Sequence, residues 1–193
     1  MLRGAWTAQV ARRLSERYDS RGLDVLCAHR DKRASRDEGG HVRLGQIVSW
    51  ISPRFKRHAR LAFLDIAVVD QISMRAILPI EVEESKAQPK VVMADLFATL
   101  LGDHVTFSAG RRKEDLEIGS WTTLSFLART TGKGSGNMQL QLLAGRLNQV
   151  RDRLETPNAS IGQIIIETYR DEAELEKKLT SQTEGALNAS SRT

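Results

Sequence analysis

Three carboxylates stand where an apolar chain has least use for them. In Ile80-Glu81-Val82-Glu83-Glu84 the two-residue period of a strand puts Glu81 and Glu83 on one face and turns Ile80 and Val82 to the other. Asp65 sits inside Phe63-Leu64-Asp65-Ile66-Ala67, an apolar run in which an acid costs free energy unless it is paired. Side by side, such groups repel and call for cations, either side chains or a metal. If the two runs are neighbouring strands, the three carboxylates converge, and an oxygen-only ligand set of that kind suits Mg²⁺ or Mn²⁺ better than zinc. The alternative is structural: the acids face solvent or pair with Arg60, Arg75 or Lys86. One acid in a strand is more often of that kind, whereas three on two adjacent apolar strands favour the metal.

A second feature is positive. Residues 30–60 carry nine basic side chains (Arg30, Lys32, Arg33, Arg36, Arg43, Arg54, Lys56, Arg57, Arg60) against three acids, in a chain of net charge +5. A basic block on a near-neutral body is expected to meet a polyanion, although a solubilising loop has the same composition. Gly132-Lys133-Gly134-Ser135-Gly136 lacks the spacing of a nucleotide-binding loop and reads as a flexible loop whose Lys133 could touch a nucleic-acid backbone. His29, His41, His58 and His104 show no paired metal spacing. Cys27, Trp50 and Trp121 read as packing residues, with stacking on bases as the other use of the two indoles.

These groups need elements to hold them. Trp6, Val10, Leu14 and Tyr18 recur every four residues, which predicts an amphipathic helix over 5–18, ended by Asp19-Ser20-Arg21-Gly22. Residues 23–28 read as a buried strand, 30–45 as a polar loop, and 46–51 as a short strand stopped by Pro53. The aliphatic runs 60–69 and 75–83, split by Asp70-Gln71-Ile72-Ser73, predict a hairpin. Pro89 opens a helix whose apolar face covers 91–101, and 104–108 is a strand behind it. Strands over 121–128 and 162–168, a helix with the Leu140, Leu143, Leu147, Val150, Leu154 stripe, and a short charged helix over 171–179 follow. The expectation is an α/β chain with a mixed central sheet flanked by helices. It forms one domain over 1–180, with core 5–108, extension 109–180 and a polar tail 181–193. The leucine stripe could serve a homodimer as well as a core.

With 193 residues, 40% hydrophobic and 27% charged, the chain can bury a real core. No apolar run nears the roughly 20 residues that span a bilayer, so no membrane partner is expected. Residues 1–6 have no apolar signal region and Cys27 is the only cysteine, which predicts a reducing cytoplasm and no cysteine-held zinc.

The α-β-β-β-α-β order over 5–108, with Asp65 in the second strand and Glu81-Val82-Glu83 ending the third, resembles the PD-(D/E)xK, or restriction endonuclease-like, nuclease superfamily. It is nearest in look to archaeal Holliday-junction resolvases and to type II restriction enzymes with a Glu-x-Glu motif. Leu64 stands where the family name has proline, and Glu83 where it has lysine. The resemblance implies that Asp65 and Glu81 bind Mg²⁺ and that the third position helps orient or activate the attacking water. Glu83 would act there as base or ligand, or Lys86 would swing in from the loop. The family often adds a Glu from the first helix, where Glu16 is the only acid, and Gln88 could also reach the site. The function implied is a divalent-metal-dependent nuclease acting on DNA, with Arg30, Lys32, Arg33, Arg36, Arg54, Lys56, Arg57 and Lys133 as phosphate contacts. A catalytically inactive nucleic-acid-binding or assembly protein of the same fold is the alternative, and an α/β interaction domain without nucleic acid a third.

Overall fold

The computed structural model describes residues 4–29, 42–51, 59–84, 104–130, 142, 146, 149 and 161–190. It opens with helix α1 (Ala5–Tyr18), in which Val10, Leu14 and Tyr18 of the four-residue recurrence are buried, Ala11 with them, while Trp6 is only partly buried. A short 3₁₀ turn (Asp19–Arg21) and Gly22, at φ 72°, end the helix; the left-handed backbone there favours glycine.

The described strands are β1 (Leu23–Cys27), β2 (Arg43–Leu44), β3 (Gln46–Ile51), β4 (Ala59–Leu64), β5 (Ile66–Asp70), β6 (Ala76–Glu83), β7 (His104–Ala109), β8 (Arg112–Leu116), β9 (Thr123–Arg129) and β10 (Gln163–Tyr169). They form a six-stranded mixed sheet in the order β10-β9-β6-β5-β1-β2 and a four-stranded antiparallel sheet in the order β4-β3-β7-β8. In the large sheet β5 runs antiparallel to both β1 and β6, while β9 is parallel to β6 and to β10. A second helix, α2 (Glu172–Ser190), follows β10.

The inner strands β1, β5, β6 and β9 of the large sheet are buried on both faces over most of their length, which is why they read as largely apolar runs. Leu23, Val25, Cys27, Ile66, Val68, Leu78, Ile80 and Val82 pack with α1 and with Leu175, Leu179 and Ala186 of α2. Leu26, Ala67, Val69 and Ala76 face the other way, against Ile47, Leu64, Val105, Phe107 and Leu116 of the small sheet. Helices, mixed sheet and antiparallel sheet are thus stacked in that order. Arg43 spans the two sheets, bonding Asp24 of β1 at 2.9 Å and Glu114 of β8 at 2.5 Å.

Several expectations are corrected. The run 60–69 is two strands: Asp65 interrupts it, so that β4 belongs to the small sheet and β5 to the large one. Strand β7 lies in the small sheet and does not extend the central one. Strand β8 was not expected from Arg112-Lys113-Glu114-Asp115-Leu116, because only Leu116 is buried and the sequence carries charge where a two-faced strand would carry aliphatics. Helix α2 continues to Ser190 through much of the stretch read as a polar tail, since Gln182, Thr183 and Ala186 are buried and extend its packed face. The expected hairpin is present between β5 and β6, with Ile66 opposite Ile80. Its turn is held by the Asp70 carboxylate, which accepts from the Ile72 and Ser73 amides at 2.9 and 2.8 Å. The helix expected over 91–101 lies outside the described residues; of the 140–154 stripe region Leu142, Arg146 and Gln149 are described, helical and exposed.

Candidate active site

Asp65 occupies the point where the chain crosses from the small sheet to the large one. Its own backbone keeps the large sheet's ladder going: its amide donates to the Ile80 carbonyl at 3.0 Å, and its carbonyl accepts from Ala28 at 2.8 Å. Beyond it β4 diverges, so β6 loses its neighbour before its own end is reached. The Asp65 side chain fills that gap. Oδ2 accepts the Val82 amide at 2.8 Å, in place of the backbone carbonyl that a continuing strand would have supplied.

The second carboxylate oxygen, Oδ1, lies 2.5 Å from His29 Nε2. An ionised carboxylate only accepts, so Nε2 is the donor of this bond. His29 follows β1, whose end abuts the start of β5, and its main chain is tied to Cys27: the His29 amide donates to Sγ at 3.4 Å and the thiol donates to the His29 carbonyl at 3.3 Å. Gly4, with φ 78°, packs against the imidazole so closely that a methyl group there would overlap Nδ1.

The other acids share this end of the sheet. Because Ile66 faces Ile80 across the β5–β6 ladder, Asp65 stands next to Glu81 in register. Glu81 and Glu83 are half-buried and alternate with buried Ile80 and Val82, as the strand period requires. Glu84 turns to α1 and accepts both the Thr7 amide and the Thr7 hydroxyl at 2.7 Å. It supplies from outside the capping oxygen that Gly4, the residue before the helix, lacks. An anion in this place is also favoured by the helix dipole.

Tyr169 and Arg129 close the helix-facing side. Tyr169 donates its hydroxyl to the Glu83 carbonyl at 3.2 Å, packs edge-on to Trp6, and Arg129 lies 4.2 Å over the Trp6 ring. Burial pushes the Cys27 thiol up to about 12, with Asp65 and Glu84 adding to the rise against a lowering hydrogen bond with His29. Tyr169 is raised by burial first and then by Glu84, with Glu83 and Asp65 adding and Arg129 opposing.

As a donor set, Asp65, Glu81 and Glu83 offer the oxygen ligands that a hard divalent cation takes, and one end of one sheet holds all three. Among the described residues no three His, Cys, Asp or Glu stand close enough to hold an ion as they are placed, so the Glu81 and Glu83 side chains would have to close on Asp65. Glu16 lies elsewhere. It is exposed, 3.8 Å from Arg12, and two and a half turns beyond Thr7, about 13 Å along the helix axis. Arg75, one of the possible structural partners for the acids, is at the opposite end of β6 with its guanidinium 4.2 Å over Trp121. Lys86, Gln88, Arg30, Lys32, Arg33, Arg36, Arg54, Lys56, Arg57 and Lys133 lie outside the described residues. Arg43 of the basic block is committed to the Asp24 and Glu114 ion pairs.

Sequence reasoning missed His29 and the role of Glu84. No spacing rule links position 29 to position 65; the signal is topological, the end of one strand meeting the start of another. Among the described residues no helix is long and apolar enough to cross a membrane. No protein-family model, no curated protein and no solved structure matches the chain.

Proposed function

We propose that this chain is a divalent-metal-dependent DNA nuclease of the restriction endonuclease-like type, with its reacting centre at Asp65, Glu81 and Glu83. The observation that carries the reading is the β5–β6 register, in which Asp65 at the head of one strand neighbours Glu81 near the tail of its antiparallel partner. In support of it, α1, β1, β5 and β6 occur in the chain order of the helix and three strands that such a core begins with, although β2, β3 and β4 intervene between β1 and β5; the three strands are adjacent in the sheet, with β9 parallel to β6 beyond them. A Mg²⁺ or Mn²⁺ ion, when bound, would neutralise the phosphodiester and lower the pKa of a water. The chain's own part is to hold oxygen donors on two strands, to keep Glu83 on the Glu81 face where its carboxylate can accept a proton, and to draw the phosphate backbone in through the basic segment 30–60.

One observation favours the second reading, a nucleic-acid-binding protein of this fold that does not cut. Asp65 already has a structural task, receiving Val82 N–H and His29. Cleavage of supercoiled, branched and single-stranded DNA in Mg²⁺, Mn²⁺ or EDTA separates the two. The nuclease reading expects nicking that EDTA abolishes, a loss of about 100-fold or more in single-turnover rate for Glu83→Ala, and a much smaller loss for Lys86→Ala. Salt-sensitive binding without cleavage of any of these substrates would select the second reading.

A further inference from the structure

We infer that His29 is a positioning residue for Asp65, holding its carboxylate in the orientation it would offer to a cation shared with Glu81; this rests on the metal-site reading above. A carboxylate at the end of a short side chain turns freely about its last torsion, which is broad and roughly two-fold. At Asp65 that rotation is pinned by donors from two different strands' ends, His29 Nε2 on Oδ1 at 2.5 Å and Val82 N–H on Oδ2 at 2.8 Å. Each oxygen accepts one of these bonds and keeps a further lone pair, since an ionised carboxylate offers about four acceptor sites.

The imidazole is itself held. Its main chain is bonded to the buried Cys27 sulfur, and Gly4 closes on the ring from the start of α1. The Asp65 side chain is 15% exposed and that of His29 30%, so both reach solvent, the carboxylate less than the imidazole. A donor fixed behind a ligating group restricts the ligand to its productive orientation, and removing such a partner typically weakens metal affinity by about 10–100-fold.

The test is calorimetric titration of the full chain with Mn²⁺, without DNA, for wild type, His29→Ala, His29→Leu, His29→Gln and Asp65→Asn. The side-chain amide of Gln can replace the Nε2 donor, while Leu matches bulk without one. Expected are a loss of about 10–100-fold in Mn²⁺ affinity for the Ala and Leu variants, recovery of most of it in His29→Gln, and no specific binding in Asp65→Asn. A merely structural role would lower the melting temperature of the His29 variants and leave the Mn²⁺ affinity of the folded protein unchanged, and that result overturns the inference. So does equal affinity of the Gln and Leu variants, the pair that decides the matter if His29→Ala does not fold. Wild type that binds Mn²⁺ with this ranking but cuts no DNA leaves the inference standing and removes the nuclease reading. Wild type that cuts DNA while His29→Leu binds Mn²⁺ normally does the reverse. Absence of Mn²⁺ binding by wild type overturns the inference.

Discussion

Replacing Asp65 separates its structural task from any chemical one. Asp65→Ala removes the acceptor of the Val82 amide, a bond of 2.8 Å at the end of β6 whose donor has no continuing strand to turn to. A buried donor left unmet costs about 1–3 kcal/mol. Removing the His29 bond adds at most about 1 kcal/mol, because both partners keep some exposure to water, 30% and 15%, which screens the pair. Asp65→Asn retains an oxygen for Val82 and can donate its amide to His29 Nε2 once the imidazole carries its proton on Nδ1 instead, and it removes one charge from beside Glu81. It should therefore stay within about 1 kcal/mol of wild type. For a domain of 150–250 residues, about 2–4 °C of melting temperature accompanies each kcal/mol, so in EDTA Asp65→Ala should melt about 2–16 °C lower and Asp65→Asn nearly as wild type. Addition of Mg²⁺ should raise the melting temperature of wild type and of neither variant, because an ion that binds only the native state stabilises it. Thermal and urea unfolding, with and without EDTA, measure all of this. An Asp65→Ala variant as stable as wild type would refute the sheet-end role. An Asn variant as unstable as Ala would show that the bond from His29 to the carboxylate, and not the Val82 acceptor, carries the stability.

Three further outcomes are expected, the first from the sequence and the other two from the structure. Neutralising Arg33, Arg36, Lys56 and Arg57 together should weaken binding to any duplex sequence and reduce the slope of log K against log salt by about 0.9 for each phosphate they no longer neutralise; an unchanged slope would remove these residues from the interface. Glu84→Ala should cost about 0.5–2 kcal/mol in urea unfolding by stripping Thr7, a fully buried residue, of its capping partner, and an unchanged midpoint would deny the cap. Cys27, held as the thiol by a pKa raised from its ordinary 9.0 to about 12, should resist alkylation at pH 8.5 until the protein unfolds. Because the folded form keeps that proton while the unfolded form loses it, the thiol lowers stability as pH rises above about 9, by up to about 1.4 kcal/mol per pH unit, and Cys27→Ala should flatten the decline.

Local pattern carried the helix α1, the turn at Gly22 and the β5–β6 hairpin, because each is decided by neighbours in sequence: a four-residue recurrence, a left-handed residue, an Asp that bonds the amides two and three positions on. The same holds for the alternation that sets Glu81 and Glu83 apart from Ile80 and Val82. What pattern could not carry is where strands go. Residues 60–69 are apolar almost throughout, and nothing in their hydropathy marks that Leu64 packs with the small sheet while Ile66 packs with the helices. The only local sign is Asp65 itself, which reads equally as an interruption and as a ligand. Strand β8 was invisible because an edge strand with one buried face has no aliphatic run to show, and one of the charges that hide it, Glu114, binds Arg43 across the sheets.

The crossing also explains why a structural acid and a reactive one can be the same residue. A strand that leaves its sheet early exposes one amide of its neighbour, and an Asp at the crossing satisfies that amide more compactly than any longer side chain, because its carboxylate sits two bonds from the backbone. The same geometry leaves the carboxylate at the sheet's end, where β6 delivers Glu81 and Glu83 and where the start of α1 lies, marked by the Thr7–Glu84 bonds. The structural bonds consume one acceptor position on each oxygen, and a cation needs another. The two roles therefore do not compete for electrons; they compete for orientation, and His29 and Val82 decide it in the same direction for both. That makes the Asn variant the informative one. It preserves the fold's requirement, an oxygen facing Val82, while withdrawing the charge that a divalent ion requires, so an Asn variant that keeps stability beside an Ala variant that loses it, both without cation binding, is the pair of outcomes that only a double role predicts.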